Sequence, residues 1–202
     1  LLTIYSEVLA LWSNTFEFTL NFTCFDRLLE EEEINRLIGD FTLLLLVNIE
    51  LKKKENFKER AIKVQENLAK AMDHKYFGTI DTEREIAKRY GTKSSAFPIV
   101  FTGMLGMDSD CENFGEISYL STKTSQTWLD LQAIELGERL MIRMEAVEEL
   151  LPFEMVEEML LQTEDTVFRI AFTTLETALL IAFHTLEMTE LIVFITLEIK
   201  LE

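Results

Sequence analysis

A chain of 202 residues and 23.5 kDa, 48% apolar with a mean hydropathy of +0.11, has the material for one domain with a sizeable core and is too apolar to stay disordered. Its 19 Lys and Arg against 36 Asp and Glu leave a formal charge of −17, which phosphate backbones and anionic lipid repel, so nucleic-acid and membrane-surface binding are disfavoured. Two cysteines, two histidines and seven glycines argue against a disulfide scaffold, a histidine metal centre and a glycine-rich phosphate loop, and this cysteine usage favours a reducing cytoplasm.

The chain begins on Leu1 without a basic segment leading into an apolar one, so it reads as a piece of something longer with no signal peptide of its own. Residues 1–13 have apolar side chains at helical spacing, with Asn14 as a stop. FEFTLNFT at 16–23 alternates, with Phe16, Phe18, Leu20 and Phe22 on one face of a half-buried strand. LLEEEEINRLIG reads as a short helix ended by Gly39. The apolar run at 42–51 is too short to span a bilayer and predicts a central strand buried on both faces.

Phe57, Ala61, Val64, Leu68, Ala71 and Met72 mark a helix over 55–73, and the Lys52–Lys54 run with Lys58 and Arg60 reads as solvated. A second helix starts at Asp81, its cap, and closes at Gly91. Pro98 opens a short strand, IVFT, and Gly103, Gly106 and Gly115 bracket a loop. Residues 116–123, 126–135 and 138–144 predict three strands of an antiparallel meander, and Pro152 starts an acidic helix. Helices and strands in this order predict an α/β domain with a mixed sheet over 1–162. The remainder, 163–202, contains an 11-residue repeat in which Phe172, Phe183 and Phe194 recur with Thr-Leu-Glu at 174–176, 185–187 and 196–198. That period keeps one helical stripe in phase, while the Thr, Ile and Phe content also suits strands.

Three collinear clusters carry a likeness. INRLIGDFT (34–42) is similar to a GDFTS motif, AFPIVFTGMLG (96–106) to FPVVFTS-LG, and KTSQTWLDLQ (123–132) to QTPQVWLDHQ. Weaker matches are FTLNFTCFDRL (18–28), MDHKYFG (72–78), GEISY (115–119) and MEAVEELLP (144–152). The stretch 1–162 thereby resembles the C-terminal half of heterocyclization domains, the specialised condensation domains of nonribosomal peptide synthetases. The resemblance implies a lobe like a chloramphenicol acetyltransferase subunit, facing an N-terminal lobe across a cleft and tunnel. The DxxxxD motif of that first lobe is absent from this sequence, as is the HHxxxDG of ordinary condensation domains. Leu43 and Gly103 stand where the family has Ser, Lys123 where it has Gln, and Glu30–Glu33 replace a Pro-containing turn, departures read as losing polar or rigid elements near the cleft.

The resemblance also implies the chemistry: amide formation between carrier-bound substrates, then cyclodehydration of a Cys, Ser or Thr residue to a thiazoline or oxazoline. It assigns Asp130 as the proton-handling carboxyl and Thr102 as the hydroxyl that holds it. The residues agree, since Asp130 follows Trp128 and Leu129 in a predicted strand, and a partly apolar wall raises a carboxyl's pKa. On an alternating strand Trp128 and Asp130 share a face. The plain alternative is a solvent-facing Asp at a strand end. Asp40 and Thr42 either line the tunnel or, for Asp40, bond the backbone of the Gly39 turn. Gln126, and Trp128 beside it, are placed toward substrate or carrier arm, with an ordinary strand residue as the alternative for Gln126. His74 reads as a cation at a helix C-terminus, and Cys24 and Cys111 as inert thiols.

No cofactor is expected on the chain, the phosphopantetheine arms belonging to partner carrier domains. Expected partners are the N-terminal lobe and the carriers, with neither nucleic acid nor membrane. A lone lobe bares the face that meets its partner, so a homodimer or larger assembly is expected unless the repeat covers it. The competing functional reading is a non-catalytic remnant, a structural or self-associating module.

Overall fold

The computed structural model describes residues 1–25, 38–91, 97–105, 124, 126–136 and 139–185. In chain order they form α1 (Leu2–Ser13), β1 (Glu17–Phe25), β2 (Thr42–Glu50), α2 (Phe57–Asp73), α3 (Thr79–Tyr90), β3 (Ile99–Met104), β4 (Leu129–Leu136), β5 (Arg139–Ala146) and α4 (Phe153–Thr185). The strands make one mixed sheet in the order β2-β1-β3-β4-β5, antiparallel at both flanks and parallel through β1, β3 and β4. The expected α/β architecture is therefore present. The expected strand at 116–123, the short helix before Gly39 and Cys111 lie outside the described residues.

Strand alternation divides the sheet into two unlike faces. One carries Leu20, Val47, Ile49, Phe101, Leu129, Leu131 and Ala133, all buried. These pack in one cluster with Leu2, Tyr5 and Val8 of α1, Val64 of α2 and Met159 of α4. Phe101 stacks on Phe22 with ring centroids 5.8 Å apart and meets Tyr5 at 6.1 Å. The opening turns of α1 are buried on all sides, Leu2 through Ser6, and Ser6 donates its hydroxyl to Leu2 O, which satisfies that polar group inside the core. Asn14, with φ 52°, ends α1 where the sequence places the stop.

α2 begins with a reciprocal cap: Glu59 N–H donates to Asn56 Oδ1 at 3.0 Å, and Asn56 N–H donates to Glu59 Oε2 at 2.9 Å. Asn56→Ala is expected to cost about 1 kcal/mol in denaturant unfolding and Asn56→Gly only a few tenths. Arg60 is not a free member of the basic face: it pairs with Glu7 of α1 at 3.1 Å, tying the two helices. His74 forms the C-cap of α2.

α3 corrects the cap assigned to Asp81. The helix begins at Thr79 with Gly78 as N-cap, and Asp81 lies inside its first turn, where an acid still suits the helix dipole. Gly78 is required by space, because a Cβ there would stand 2.7 Å from Leu44 O. The close approach brings Thr79 over the second face of the sheet, where its hydroxyl donates to Asn21 Oδ1 at 2.9 Å. Gly91 closes α3 in the left-handed region at φ 69°, as expected.

β2 is also corrected. It is an edge strand of the sheet among the described residues, with alternating burial. Its unbroken apolar run has a local cause: Leu45, Val47 and Ile49 enter the core, while Leu44 and Leu46 on the other face are half-buried beside the start of α3.

The chain divides into two compact units, Leu1–Thr163 and Glu164–Glu202. α4 continues far beyond the expected acidic segment, to Thr185, so the first repeat is helical and residues 186–202 lie outside the described residues. No helix among the described residues is long and apolar enough to cross a membrane.

Candidate active site

The second face of the sheet is polar across its middle. Two adjacent rows run over it: Asn21, Val100, Asp130 and Glu145, then Thr23, Thr102, Gln132 and Arg143. The parallel pairing of β3 with β4 sets Thr102 one step diagonally from Asp130, and its hydroxyl donates to Asp130 Oδ1 at 3.0 Å. Gln132, two residues along β4 on the same face, donates its amide N–H to Asp130 Oδ2 at 2.8 Å. Both carboxylate oxygens are thus held from fixed strand positions. Across β5, Arg143 forms an ion pair with Glu145, each side chain about 20% exposed.

Burial lifts the Asp130 carboxyl above its ordinary value, and it outweighs the hydrogen bonds from Gln132 and Thr102 that lower it. Glu145 adds to the rise and Arg143 opposes it. The Tyr5 phenol is fully buried and pushed well above its ordinary value, first by burial and then by Asp130, so it stays protonated. A carboxyl that binds its proton more tightly when folded adds stability that is complete below its unfolded pKa and lost as pH rises through its folded one. The stability gap between the parent and Asp130→Asn should therefore change between the ordinary carboxyl value and the raised one. Unfolding measured at a series of pH values should show it flat on either side.

The other candidates are not gathered at Asp130. Asp40 is exposed, and its Oδ1 accepts the Thr42 N–H at 2.9 Å, the backbone-turn alternative. Hydrogen bonding to the Thr42 side chain, and then to its backbone N–H, holds the carboxyl below its ordinary value. Thr42 pairs with Phe25 at the far end of the sheet, four residues along and three strands across from Asp130. That is roughly 13 Å by about 14 Å. Gln126 sits in a turn with φ 77°, exposed, not in a strand. β4 starts at Leu129, so Trp128 precedes it and is 48% exposed. Leu129 enters the core on the opposite face.

Two of the departures from the family motif are re-placed as well. Leu43 and Gly103 alternate onto the apolar face, away from Thr102 and Asp130, so the polar groups missing there do not belong to this cluster. Gln132, Arg143 and Glu145 were missed by the sequence reading. Spacing of two from Asp130 signalled Gln132; Arg143 and Glu145 had no signal until β5 was paired in register.

A cleft of about 480 Å³ opens on the apolar side, lined by Leu9, Trp12, Phe18, Ile99, Leu129 and Met155 among others. Among the described residues that line it, none is titratable. Among the described residues no group of three or more His, Cys, Asp or Glu could hold a metal ion. Cys24 donates weakly to Leu43 O at 3.6 Å.

No family model matches the chain. It is 35% identical over 162 residues to bacitracin synthase 1 from Bacillus licheniformis, covering 77% of this chain and 3% of that protein. It is 34% identical over 160 residues to pyochelin synthetase PchE from Pseudomonas aeruginosa, covering 77% of this chain and 11% of the synthetase. Among solved structures it is similar to the EpoB cyclization-docking bidomain of a nonribosomal peptide synthetase from Sorangium cellulosum, with TM-score 0.73 and 34% identity over 83% of this chain. The chain spans about a third of that bidomain, 35%, and a small fraction of the synthetases. The fold is therefore that of a condensation-type lobe of the peptide synthetases. Within that class, the chain belongs with the heterocyclization domains.

Proposed function

We propose that residues 1–162 are the C-terminal lobe of a heterocyclization domain, and that Asp130, held by Thr102, carries the protons of ring closure. In this reading the amine of a carrier-bound Cys, Ser or Thr attacks the upstream thioester. A C–N bond forms, the C–S bond breaks, and the upstream phosphopantetheine thiol leaves. The side-chain thiol or hydroxyl then adds to the new amide carbonyl, whose oxygen becomes a hydroxyl. Asp130 gives its proton to that hydroxyl, which departs as water, and takes the proton from the ring nitrogen, so the carboxyl ends as it began. Thr102 keeps the carboxyl aimed through both transfers.

The observation that carries this reading is the 3.0 Å bond from Thr102 to a part-buried carboxyl whose pKa is raised. A carboxyl in water at neutral pH holds almost no proton to give, and burial shifts the balance toward the protonated form. The partners are an N-terminal lobe with a DxxxxD motif and two loaded carriers, whose phosphopantetheine arms supply the thiols. Joined to such a lobe, the chain should form a product one water lighter than the amide, read by mass spectrometry. The chain alone should turn nothing over. Amide without ring from the joined lobes would remove the ring-closing role, and no product at all would favour the non-catalytic, self-associating remnant.

A further inference from the structure

The proposed ring closure asks one carboxyl to give up a proton and take one back, and the structure surrounds that carboxyl with more than the motif residues. Strand register sets Glu145 of β5 directly opposite Asp130, with Arg143 opposite Gln132 on the same face. Side chains opposed in this way have their Cβ atoms about 5 Å apart, and like charges there repel. Two ionised carboxylates facing each other would strain the sheet unless one were neutralised. Arg143, two residues before Glu145 and on the same side of β5, closes an ion pair with it. Both side chains are about 20% exposed, so water screens them poorly. The result is a near-neutral pair that presents its negative end to Asp130.

We infer that Arg143 and Glu145 are positioning residues for Asp130: their ion pair, fixed on β5 opposite Asp130 and Gln132, governs how readily Asp130 holds its proton. The inference deepens the proposed function and rests on it for its catalytic meaning. Among the described residues, the groups facing Asp130 on this side of the sheet are Thr102 from β3, Gln132 from its own strand, and Glu145 and Arg143 from β5, while the Tyr5 phenol of α1, packed on the apolar face, is coupled to it electrostatically. Of these, Arg143 and Glu145 form the ion pair. Glu145 favours the protonated carboxyl and Arg143 the ionised one.

A carbon-13 carboxyl titration of the full chain tests this without substrate. The Asp130 signal is identified by its loss in Asp130→Asn. Arg143→Met should raise its midpoint by about one pH unit, and Glu145→Gln should lower it by a similar amount. Arg143→Lys, which keeps the cation, should stay near the parent. A merely structural role would loosen the sheet, expose Asp130 and lower its midpoint in both neutralising variants. A lowered or unmoved midpoint in Arg143→Met overturns the inference. Should that variant not fold, an unmoved midpoint in the nearly isosteric Glu145→Gln does the same. Opposite shifts support the inference even where Asp130→Asn still closes the ring, an outcome that would defeat the catalytic reading alone.

Discussion

Asp130→Asn, in the complete domain with both carriers loaded, is expected to slow ring formation by about 10²–10⁴-fold while amide formation survives. The substitution keeps the shape of the side chain and an oxygen to accept the Thr102 hydroxyl, but removes the titratable proton. Amide formation needs the substrates aligned, whereas dehydration needs a proton delivered to a poor leaving group. The two steps should therefore separate. Single-turnover kinetics should show a linear or hydrated product accumulating where the parent shows the ring. Thr102→Val removes only the bond that orients the carboxyl, so its defect should be in the same step and milder. Ring formation at the parent rate in Asp130→Asn would remove Asp130 from the mechanism.

Phe101→Ala should be the most damaging core substitution, costing about 3–5 kcal/mol, a large part of the roughly 5–15 kcal/mol that holds an ordinary domain together. Phe101 is 3% exposed and its ring lies against both Phe22 of β1 and Tyr5 of α1, so its removal opens a cavity where the sheet meets α1. The next residue along β3 is Thr102, on the opposite face. A shift of the strand there moves the hydroxyl that holds Asp130, so ring formation should suffer even in molecules that remain folded. Urea unfolding measures the first effect, and a loss under about 1 kcal/mol would mean the aromatic cluster is not the core it resembles.

Much of the architecture could be read before any coordinates. Alternation in β1 and helical periodicity in α2 each reflect burial of a single face, a pattern that local sequence expresses directly. β2 was misplaced because the same apolar run suits a central strand and an edge strand that a helix start overhangs. Only the pairing order distinguishes them. The cap of α3 went to Asp81, a good capping residue, while the structure uses Gly78 because the Leu44 carbonyl leaves no room for a side chain. That is a tertiary contact, invisible in a local window.

The site shows the same division. Asp130 and Thr102 stood out through a family resemblance, and their contact follows from the pairing of β3 with β4. Trp128 and Gln126 belong to the same motif, yet β4 begins only after both of them. Motif membership did not place Gln126 in the strand: it sits in a turn with φ 77°. Asp40 and Thr42 belong to another motif at the other end of the sheet, where Asp40 serves the turn into β2. Arg143 and Glu145 carry no motif. Their part in the cluster comes from cross-strand register, which spacing along one strand does not encode.

The central claim is that Asp130 removes the amide oxygen as water. Labelling the upstream acyl carbonyl with heavy oxygen follows that atom directly. With the parent residue in the complete domain, the ring product should carry no label and the released water should contain it. With Asp130→Asn, the label should remain in a linear amide. Loss of the label at the parent rate from the Asn variant would contradict the claim.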